Sequence, residues 1–229
     1  MAATCFQTLI FDLDDTLIPT SEVLIPQAAQ HVFRLLSENG LEWSFSQFDE
    51  YRKKHIAQHS HREIIKMLIE EKKLGPKGHI YESCMKAFYN ASLPDQIPLL
   101  PGAKNNLEEL SKSYRLFLLT GGDEQTQKQK LVKAKIQDYF TEVVVAGATW
   151  QYNKKSVIEN WLQKKQLRAN ETLSIGNRLK DEIRASKILG LNTCFFKYGE
   201  HADETPQDHF EKADFEIDNH SELIKTCKL

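Results

Sequence analysis

The chain has 229 residues, which is enough for one domain with a large insertion or for two domains. Apolar residues make up 41% and charged residues 27%, and the formal net charge of -2 gives no overall basic field. We therefore expect no nucleic-acid partner. No apolar run approaches the ~20 residues that a helix needs to cross a bilayer, so we expect no membrane partner either.

The four cysteines are scattered, and no two of them have Cys-x-x-Cys spacing. They are Cys5, Cys84, Cys194 and Cys227. We expect buried thiols in a reducing compartment, not a disulfide framework or a zinc site. Residues 1–7 also lack the basic and apolar segments of a signal peptide, so the predicted location is cytoplasmic.

The first predicted element is a short buried strand over 8–11, which an acidic stretch follows at once. Asp12, Asp14 and Asp15 bring three carboxylates together, and a carboxylate at the end of a buried strand is costly unless a cation or hydrogen bonds compensate it. The stretch is either an acidic turn or a site at the carboxyl edge of a sheet, where open α/β sheets bind ligands.

Helical periodicity dominates the region after Pro19. Apolar residues at helical spacing predict four helices, around 28–36, 48–56, 64–69 and 80–88. Four helices in about seventy residues, joined by short loops, are typical of a small helical bundle. A proline-containing segment, 92–102, reads as the return linker.

Strands and helices alternate in the remainder of the chain. Strands are predicted over 115–119, 142–146, 172–175, 193–196 and 213–217. Helices are predicted around 103–110, 131–136, 157–162 and 183–189, with a short one from 221. The alternation predicts an α/β fold with a Rossmann-like, doubly wound parallel sheet formed by residues 1–18 and 97–229, and residues 19–96 form an inserted all-α helical bundle.

One helix of this region carries a basic run. Its lysines alternate with Leu131, Val132 and Ile136, and they are Lys128, Lys130, Lys133 and Lys135. Such alternation favours an exposed helix face over a nucleic-acid site.

Three predicted strand ends carry polar groups: Asp12, Thr120 and Gly176-Asn177. A parallel sheet brings its carboxyl ends to one edge, so these groups are expected to converge. Oxygen ligands suit Mg²⁺, which binds through one or two carboxylates, waters and a phosphate. A carboxylate can also attack phosphorus, and a threonine hydroxyl, glycine amides and a lysine would hold and neutralise the phosphoryl group.

These residues, in their order, resemble the four motifs of the haloacid dehalogenase-like (HAD) hydrolases. The motifs are Asp12-x-Asp14-x-Thr16, Thr120 after an apolar strand, a lysine ahead of a helix, and Gly176-Asn177 ahead of Asp181-Glu182. The resemblance covers nearly the whole chain, since the helical insert matches the family's cap domain of the C1 type. It implies a catalytic core of 1–18 and 97–229 and a cap of 19–96.

The resemblance implies a role for each matching residue. Asp12 would be the nucleophile and a Mg²⁺ ligand, and Asp14 the general acid and base, with its main-chain carbonyl on the metal. Thr120 and the amide of Gly121 would hold the phosphoryl oxygens. Dehalogenases of the family lack the second aspartate, so Asp14 favours phosphate-ester hydrolysis.

The chain departs from the family's pattern at two motifs. The third motif offers adjacent lysines, Lys154 and Lys155, and counting back from the apolar residues of the next helix favours Lys154. The fourth motif opens with Asn177 in place of the usual aspartate, and an amide oxygen can still bind Mg²⁺. Asp181 is assigned to the metal, while Glu182 fills the conventional slot and remains the alternative.

The implied function is a Mg²⁺-dependent phosphatase that acts on a small phosphate monoester through an aspartyl-phosphate. The expected partner is therefore a phosphorylated small molecule, and the enzyme would be a monomer or a homodimer. Two alternatives stay open. One is a phosphomutase of the same superfamily, and the other is a catalytically inactive binding protein with this fold.

Overall fold

The structure, a computed structural model, describes residues 6–75, 77–89, 92–147 and 153–229. The prediction for Cys5 lies outside these residues. The chain divides into two compact units, which we call the core unit (Met1–Pro19 with Pro94–Leu229) and the helical unit (Thr20–Leu93). Among the described residues, no helix is both long enough and apolar enough to cross a membrane.

The core unit opens with strand β1 (Thr8–Phe11), whose bounds match the predicted strand. The chain then enters the helical unit. Its helices are α1 (Thr20–Val23), α2 (Ile25–Glu38), α3 (Phe45–His55), α4 (His61–Glu71) and α5 (Lys77–Tyr89). The short α1 is additional to the four helices that periodicity predicts.

Local sequence explains where two of these helices begin. Ser44 and Ser60 cap α3 and α4, and in each case the side chain three positions later, Gln47 or Glu63, accepts a hydrogen bond from the capping residue's backbone N–H. The apolar stripes of α2, α4 and α5 then meet in one core of the helical unit. Its fully buried members include Ala29, Val32, Leu36, Leu68 and Cys84.

The remainder of the core unit alternates helices and strands. In chain order these are α6 (Ala103–Leu110), β2 (Arg115–Gly121), α7 (Glu124–Ala134), β3 (Glu142–Ala146), α8 (Lys154–Lys164), β4 (Thr172–Gly176), α9 (Arg184–Ile188), β5 (Asn192–Phe196), β6 (Phe215–Ile217) and α10 (His220–Cys227). A π-helical turn, Leu179–Ile183, precedes α9 directly.

The six strands form one parallel sheet in the order β3-β2-β1-β4-β5-β6. The predicted α/β fold with a doubly wound parallel sheet is confirmed. In this order β1 is central, with β2 on one side and β4 on the other, so the strand order reverses there. Such a switch point opens a crevice at the carboxyl ends of the strands, where folds of this kind bind ligands.

The sheet is fixed by apolar packing. Ile10 of β1 and Phe117 of β2 belong to one buried cluster with Val157 and the fully buried Trp161 of α8. The Trp161 indole N–H donates to Glu142 at 3.1 Å, which satisfies its polar atom. This packing places the beginning of α8 beside the carboxyl ends of β1 and β2.

The chain differs from the predicted helix pattern at two places. The apolar pattern predicts that the helix after β2 extends to Ile136, but α7 ends at Ala134, because Lys135 adopts a left-handed conformation with φ of 58° and caps the helix. The last strand is shorter than the predicted 213–217, since β6 begins only at Phe215. Asp214 instead accepts hydrogen bonds from the backbone N–H and the hydroxyl of Thr193.

Candidate active site

The predicted strand-end residues lie at one edge of the sheet. Asp12 follows β1, Thr120 is in β2, and Asn177 follows β4, so all three border the switch point. Their exposed fractions are only 5%, 1% and 3%. The Asp12 backbone N–H donates to Ile175 of β4 at 2.9 Å, which fixes this residue to the sheet. A buried acidic group at the carboxyl edge needs compensation from its neighbours.

Lys154 provides that compensation. It is the first residue of α8, and Asn153 caps the helix by accepting a hydrogen bond from the Ser156 backbone N–H at 3.0 Å. The buried Lys154 Nζ lies 2.8 Å from Asp12 Oδ1. Lys155 points elsewhere, and its Nζ pairs with the partly exposed Glu159 at 2.9 Å. Of the two candidate lysines, the structure places Lys154 at Asp12.

The two acidic residues of the fourth motif both reach Lys154, in different surroundings. Glu182 is buried and accepts hydrogen bonds from Lys154 Nζ and from the Arg178 backbone N–H, the latter at 3.0 Å. Asp181 lies 3.3 Å from Lys154 Nζ, and its side chain is 44% exposed. Glu182 therefore anchors the loop, whereas Asp181 borders solvent.

Gly176 is required by this arrangement. A Cβ atom at position 176 would lie 2.7 Å from Glu182 Cγ and 2.9 Å from Glu182 Cβ, distances that only displacement of Glu182 could relieve. The glycine of the fourth motif thus makes room for the acidic side chain that contacts Lys154.

The carboxyl groups around Lys154 outnumber the ammonium that they share. Burial raises the pKa of Asp12 to about 6, although Lys154 opposes the shift. Burial likewise raises the pKa of Glu182. Burial alone would lower the pKa of Lys154, but Asp12, Asp181 and Glu182 raise it well above its usual value. Lys154 is therefore cationic. The charge balance of the site, with three carboxyl groups and one ammonium, favours a further positive charge.

The Asp14 side chain contacts α7. Its Oδ1 lies 2.6 Å from Lys130 Nζ, and its Oδ2 accepts a hydrogen bond from Gln127 Nε2 at 2.7 Å. The same Gln127 nitrogen lies 2.6 Å from Thr120 Oγ1 and 2.9 Å from the carbonyl oxygen of Gly121. Gln127 thus connects the first motif to the second.

The prediction that Lys130 lies on an exposed helix face is wrong. Lys130 is only 8% exposed and Gln127 only 2%, whereas the Lys128 side chain is 60% exposed. The buried positions of α7 are 127, 130, 131 and 134, which is the spacing of one helix face. Two polar residues on that face were the sequence signal for a buried polar contact.

The first-motif loop is held from the other end of the chain. The buried His220 ring lies with Nε2 2.7 Å from the carbonyl oxygen of Thr16, so this nitrogen carries the proton and donates it. Asn106 of α6 donates to the His220 carbonyl oxygen at 2.7 Å. Burial lowers the pKa of His220, in keeping with a neutral ring.

Asp15 closes the same loop against Gly199. Asp15 has a left-handed backbone with φ of 54°, and a Cβ atom at position 199 would lie 2.4 Å from its Oδ2. Gly199 itself has φ of 74°. Only glycine suits a position that combines this conformation with such a close approach.

Comparison with known proteins identifies the family. The model of the haloacid dehalogenase-like hydrolases matches residues 9–196 of the chain. The chain belongs to this family. Each of the four motifs contributes one residue to the same sheet edge, namely Asp12, Thr120, Lys154 and Asn177.

The curated relatives of the chain include proteins named as phosphatases. The chain is similar to the glyceraldehyde 3-phosphate phosphatase of Methanopyrus kandleri, at 27% identity over 97% of each chain. It is also similar to the ribulose-1,5-bisphosphate 5-phosphatase of Halopiger xanaduensis, at 26% identity over 86% of this chain and 87% of the relative. The predicted enzyme class, a HAD-like phosphoric monoester hydrolase, is confirmed at this level.

Solved HAD structures share the fold. The magnesium-bound HAD-hydrolase YfnB of Bacillus subtilis has a TM-score of 0.68 at 20% identity, and the alignment covers 96% of this chain and 98% of that chain. CbbY of Rhodobacter sphaeroides in complex with phosphate has a TM-score of 0.69 at 18% identity, with 95% and 96% covered.

The donor set of the site fits the Mg²⁺ that the HAD family implies. Among the described residues, no cluster of three or more histidine, cysteine, aspartate or glutamate side chains is arranged to hold a metal. Mg²⁺ does not need one, because it binds through one or two carboxylates plus waters and a phosphate. Asp12 and Asp181 provide two carboxylates near Asn177, and the excess of carboxyl groups over ammonium groups there suits a divalent cation.

Proposed function

We propose that this protein is a Mg²⁺-dependent phosphatase that hydrolyses a small-molecule phosphate monoester through an aspartyl-phosphate on Asp12. The observation that carries the proposal is the buried Asp12 carboxylate at the end of β1, 2.8 Å from the Lys154 ammonium. Within the proposal, the core unit is the catalytic domain and the helical unit is the cap domain of the family.

Asp12 and Asp14 would divide the chemistry between them. In the first step an Asp12 carboxylate oxygen bonds to phosphorus, the ester P–O bond breaks, and Asp14 gives its proton to the leaving oxygen. In the second step a water oxygen attacks phosphorus, Asp14 takes the water's proton, and the Asp12–phosphorus bond breaks. Phosphate leaves, and both aspartates return to their initial states.

Thr120, Gly121 and Lys154 would bind the phosphoryl group. The Thr120 hydroxyl and the Gly121 amide follow the apolar part of β2 and can donate to phosphoryl oxygens, while the Lys154 ammonium offsets their charge. The phosphate complex of CbbY supports a phosphate site in this fold.

The metal ligands would be the carboxylates of Asp12 and Asp181, the amide oxygen of Asn177 and the main-chain carbonyl of Asp14. The Asp14 carboxylate contacts α7, which leaves the carbonyl as its ligand. When bound, Mg²⁺ neutralises charge on the transferring phosphoryl group. The magnesium-bound YfnB structure supports this cofactor.

The substrate would be a phosphorylated metabolite of the size of a sugar phosphate. The relatives from Methanopyrus kandleri and Halopiger xanaduensis act on glyceraldehyde 3-phosphate and ribulose 1,5-bisphosphate by name. A panel of small phosphate monoesters that includes both compounds would identify the substrate by release of inorganic phosphate.

The proposal is tested by hydrolysis of 4-nitrophenyl phosphate with and without Mg²⁺. We expect turnover that needs the metal, and a loss of about 10³-fold or more in Asp12→Asn with an unchanged circular dichroism spectrum. Asp95→Asn is the matched control, since the Asp95 side chain is fully exposed and its ionic contact, to Lys133 at 3.9 Å, involves none of the proposed site residues. An active Asp12→Asn enzyme would contradict the assignment of the nucleophile.

Asn177 favours one alternative, a binding protein that has lost turnover. The amide lowers the negative charge of the metal site by one compared with the aspartate usual there. Phosphate binding without hydrolysis, in the presence of several divalent metals, would support this alternative. Restored turnover in Asn177→Asp would locate the cause at this position.

We also propose a cytoplasmic location, and a monomer or a homodimer. Cys84, Cys194 and Cys227 are buried free thiols, which suits a reducing compartment. Fractionation of cells and light scattering of the purified protein would test location and oligomeric state.

A further inference from the structure

We propose that Gln127 and Lys130 of α7 are positioning residues that hold the Asp14 carboxylate for proton transfer. The inference rests on the proposed function, because Asp14 has an acid and base role only in such an enzyme. It extends that function to two residues outside the four motifs of the family.

The two side chains each contact a different oxygen of one carboxylate. Lys130 Nζ lies 2.6 Å from Asp14 Oδ1, and Gln127 Nε2 lies 2.7 Å from Asp14 Oδ2. A contact to each oxygen fixes the orientation of the carboxylate plane as well as its distance from α7. One contact to each oxygen leaves lone pairs on the carboxyl group that can carry the proton given to the leaving oxygen and later taken from water.

Gln127 also couples the position of Asp14 to the phosphate-binding residues. Its Nε2 lies 2.6 Å from Thr120 Oγ1 and 2.9 Å from the Gly121 carbonyl oxygen. The same amide group therefore touches the proposed acid and base and the proposed phosphate site. A substrate phosphate on Thr120 and the proton donor are held in one frame, and small errors in such a frame cost large factors in rate.

Burial argues against an incidental surface ion pair. The Lys130 side chain is 10% exposed and the Asp14 side chain 29%, whereas the Lys128–Glu124 pair on the same helix is 60% and 73% exposed. Burying an ammonium costs free energy that only close, well-oriented partners repay. In this helix the cost is met at the position that reaches Asp14.

The chemical role leaves Lys130 and Gln127 unchanged through the reaction. The proton that moves belongs to Asp14 in the first step and to water in the second, while the donors keep their own protons. Removal of either donor would let the Asp14 carboxylate move. Proton transfer to the leaving group would then be impaired more than binding of the phosphoryl group.

The test compares phosphate esters that differ in their need for a proton. Phenyl phosphate and 4-nitrophenyl phosphate have nearly the same shape, but the nitrophenolate leaves without protonation more readily. We expect Lys130→Met to lower kcat/KM about 10-fold more for phenyl phosphate than for 4-nitrophenyl phosphate, in the same direction as Asp14→Asn. Lys130→Arg should regain part of the loss, and Gln127→Leu should affect both esters because it also touches Thr120.

Lys128→Met is the matched control, and both esters should be hydrolysed as by the wild type. Thermal unfolding checks the fold of each variant, and Lys130→Gln, which keeps a hydrogen-bond donor, replaces Lys130→Met if that variant does not fold. For Lys130→Met, equal losses on both esters, or no loss on either, would overturn the inference while the phosphatase assignment stands. A wild-type protein inactive on both esters would instead overturn the proposed function and this inference with it.

Discussion

The two units bury very different residues. In the helical unit, among the residues that the structure describes, the buried set is apolar apart from Thr20 and Arg52. The core unit buries Asp12, Lys154 and Glu182 together, and it also buries Gln127 and Lys130 of α7, which contact Asp14.

The two kinds of burial place different requirements on the structure. Apolar burial stabilises a fold with few requirements on geometry, whereas buried ionic groups are costly unless every partner is in place. Buried titratable groups with shifted pKa values are therefore a mark of a functional site. Four predictions, in order of expected effect, would break or sharpen this contrast.

Removing the ammonium at the sheet edge should have the largest effect. Lys154→Met leaves the buried carboxyl groups of Asp12 and Glu182 without their cation, and loss of one partner of a buried pair costs about 3–5 kcal/mol. We expect the free energy of unfolding to fall by this amount in urea titrations without added metal. A fall of less than about 1 kcal/mol would show that the ionic cluster is not tightly coupled.

Removing apolar volume from the helical unit should have a similar or smaller effect of a different kind. Leu68 is fully buried in the core of that unit, and Leu68→Ala should cost about 2–5 kcal/mol through lost burial and a cavity. Since no ionisable group is involved, the loss should be the same at pH 6 and pH 8. A pH-dependent loss in circular dichroism melts would contradict the contrast.

The buried His220 gives the core unit a pH dependence of known sign. Burial keeps the pKa of the folded state below the usual 6.5, so the unfolded chain binds the proton first as the pH falls. Stability should therefore drop as the pH decreases below about 6.5, with a slope of up to about 1.4 kcal/mol per pH unit from this residue.

The difference between wild type and His220→Gln isolates this contribution from that of other groups titrating nearby. Urea unfolding from pH 5 to pH 8 should show a shallower acid limb in His220→Gln. His209→Gln changes an exposed histidine and should keep the wild-type slope. Parallel curves for wild type and His220→Gln would count against a neutral, buried His220.

The smallest effect is expected one residue from the largest. Lys155→Met removes a pair with Glu159 in which both side chains are more than 40% exposed. Exposed ion pairs contribute little to stability, so the free energy of unfolding should change by no more than about 0.5 kcal/mol. The rate of hydrolysis should stay at the wild-type level. A large loss of activity in this variant would mean that Lys155, and not Lys154, is the lysine of the third motif.

Much of the core unit was predictable because its strands are short apolar runs between polar ends. The predicted bounds of the strands at 8–11 and 142–146 match the structure. The parallel direction of the strands follows from their alternation with helices. Counting back from Val157 and Ile158 favours Lys154 over Lys155, and in the structure Lys154 begins α8 with its Nζ 2.8 Å from Asp12 Oδ1.

The other features of the core unit could not be predicted, because tertiary contacts override the local sequence pattern. Lys130 looks solvent-exposed by type, and only its partner Asp14, 116 positions earlier in the sequence, makes its burial favourable. The π-helical turn after Asn177 has no periodic signal, since it is shaped by Glu182, which accepts from the Arg178 backbone N–H and bonds Lys154. The left-handed Lys135 ends α7 earlier than the apolar pattern indicates.

The hydrogen bond from His220 to the Thr16 carbonyl has a consequence for biogenesis. The two residues are separated by 204 positions, and strands β2 to β6 all lie between them in the sequence. The loop beside Asp12 therefore receives this anchor only once α10 has been made and has docked, which is late in folding compared with contacts between neighbouring elements. A chain cut before α10 would lack the hydrogen bond that fixes this loop.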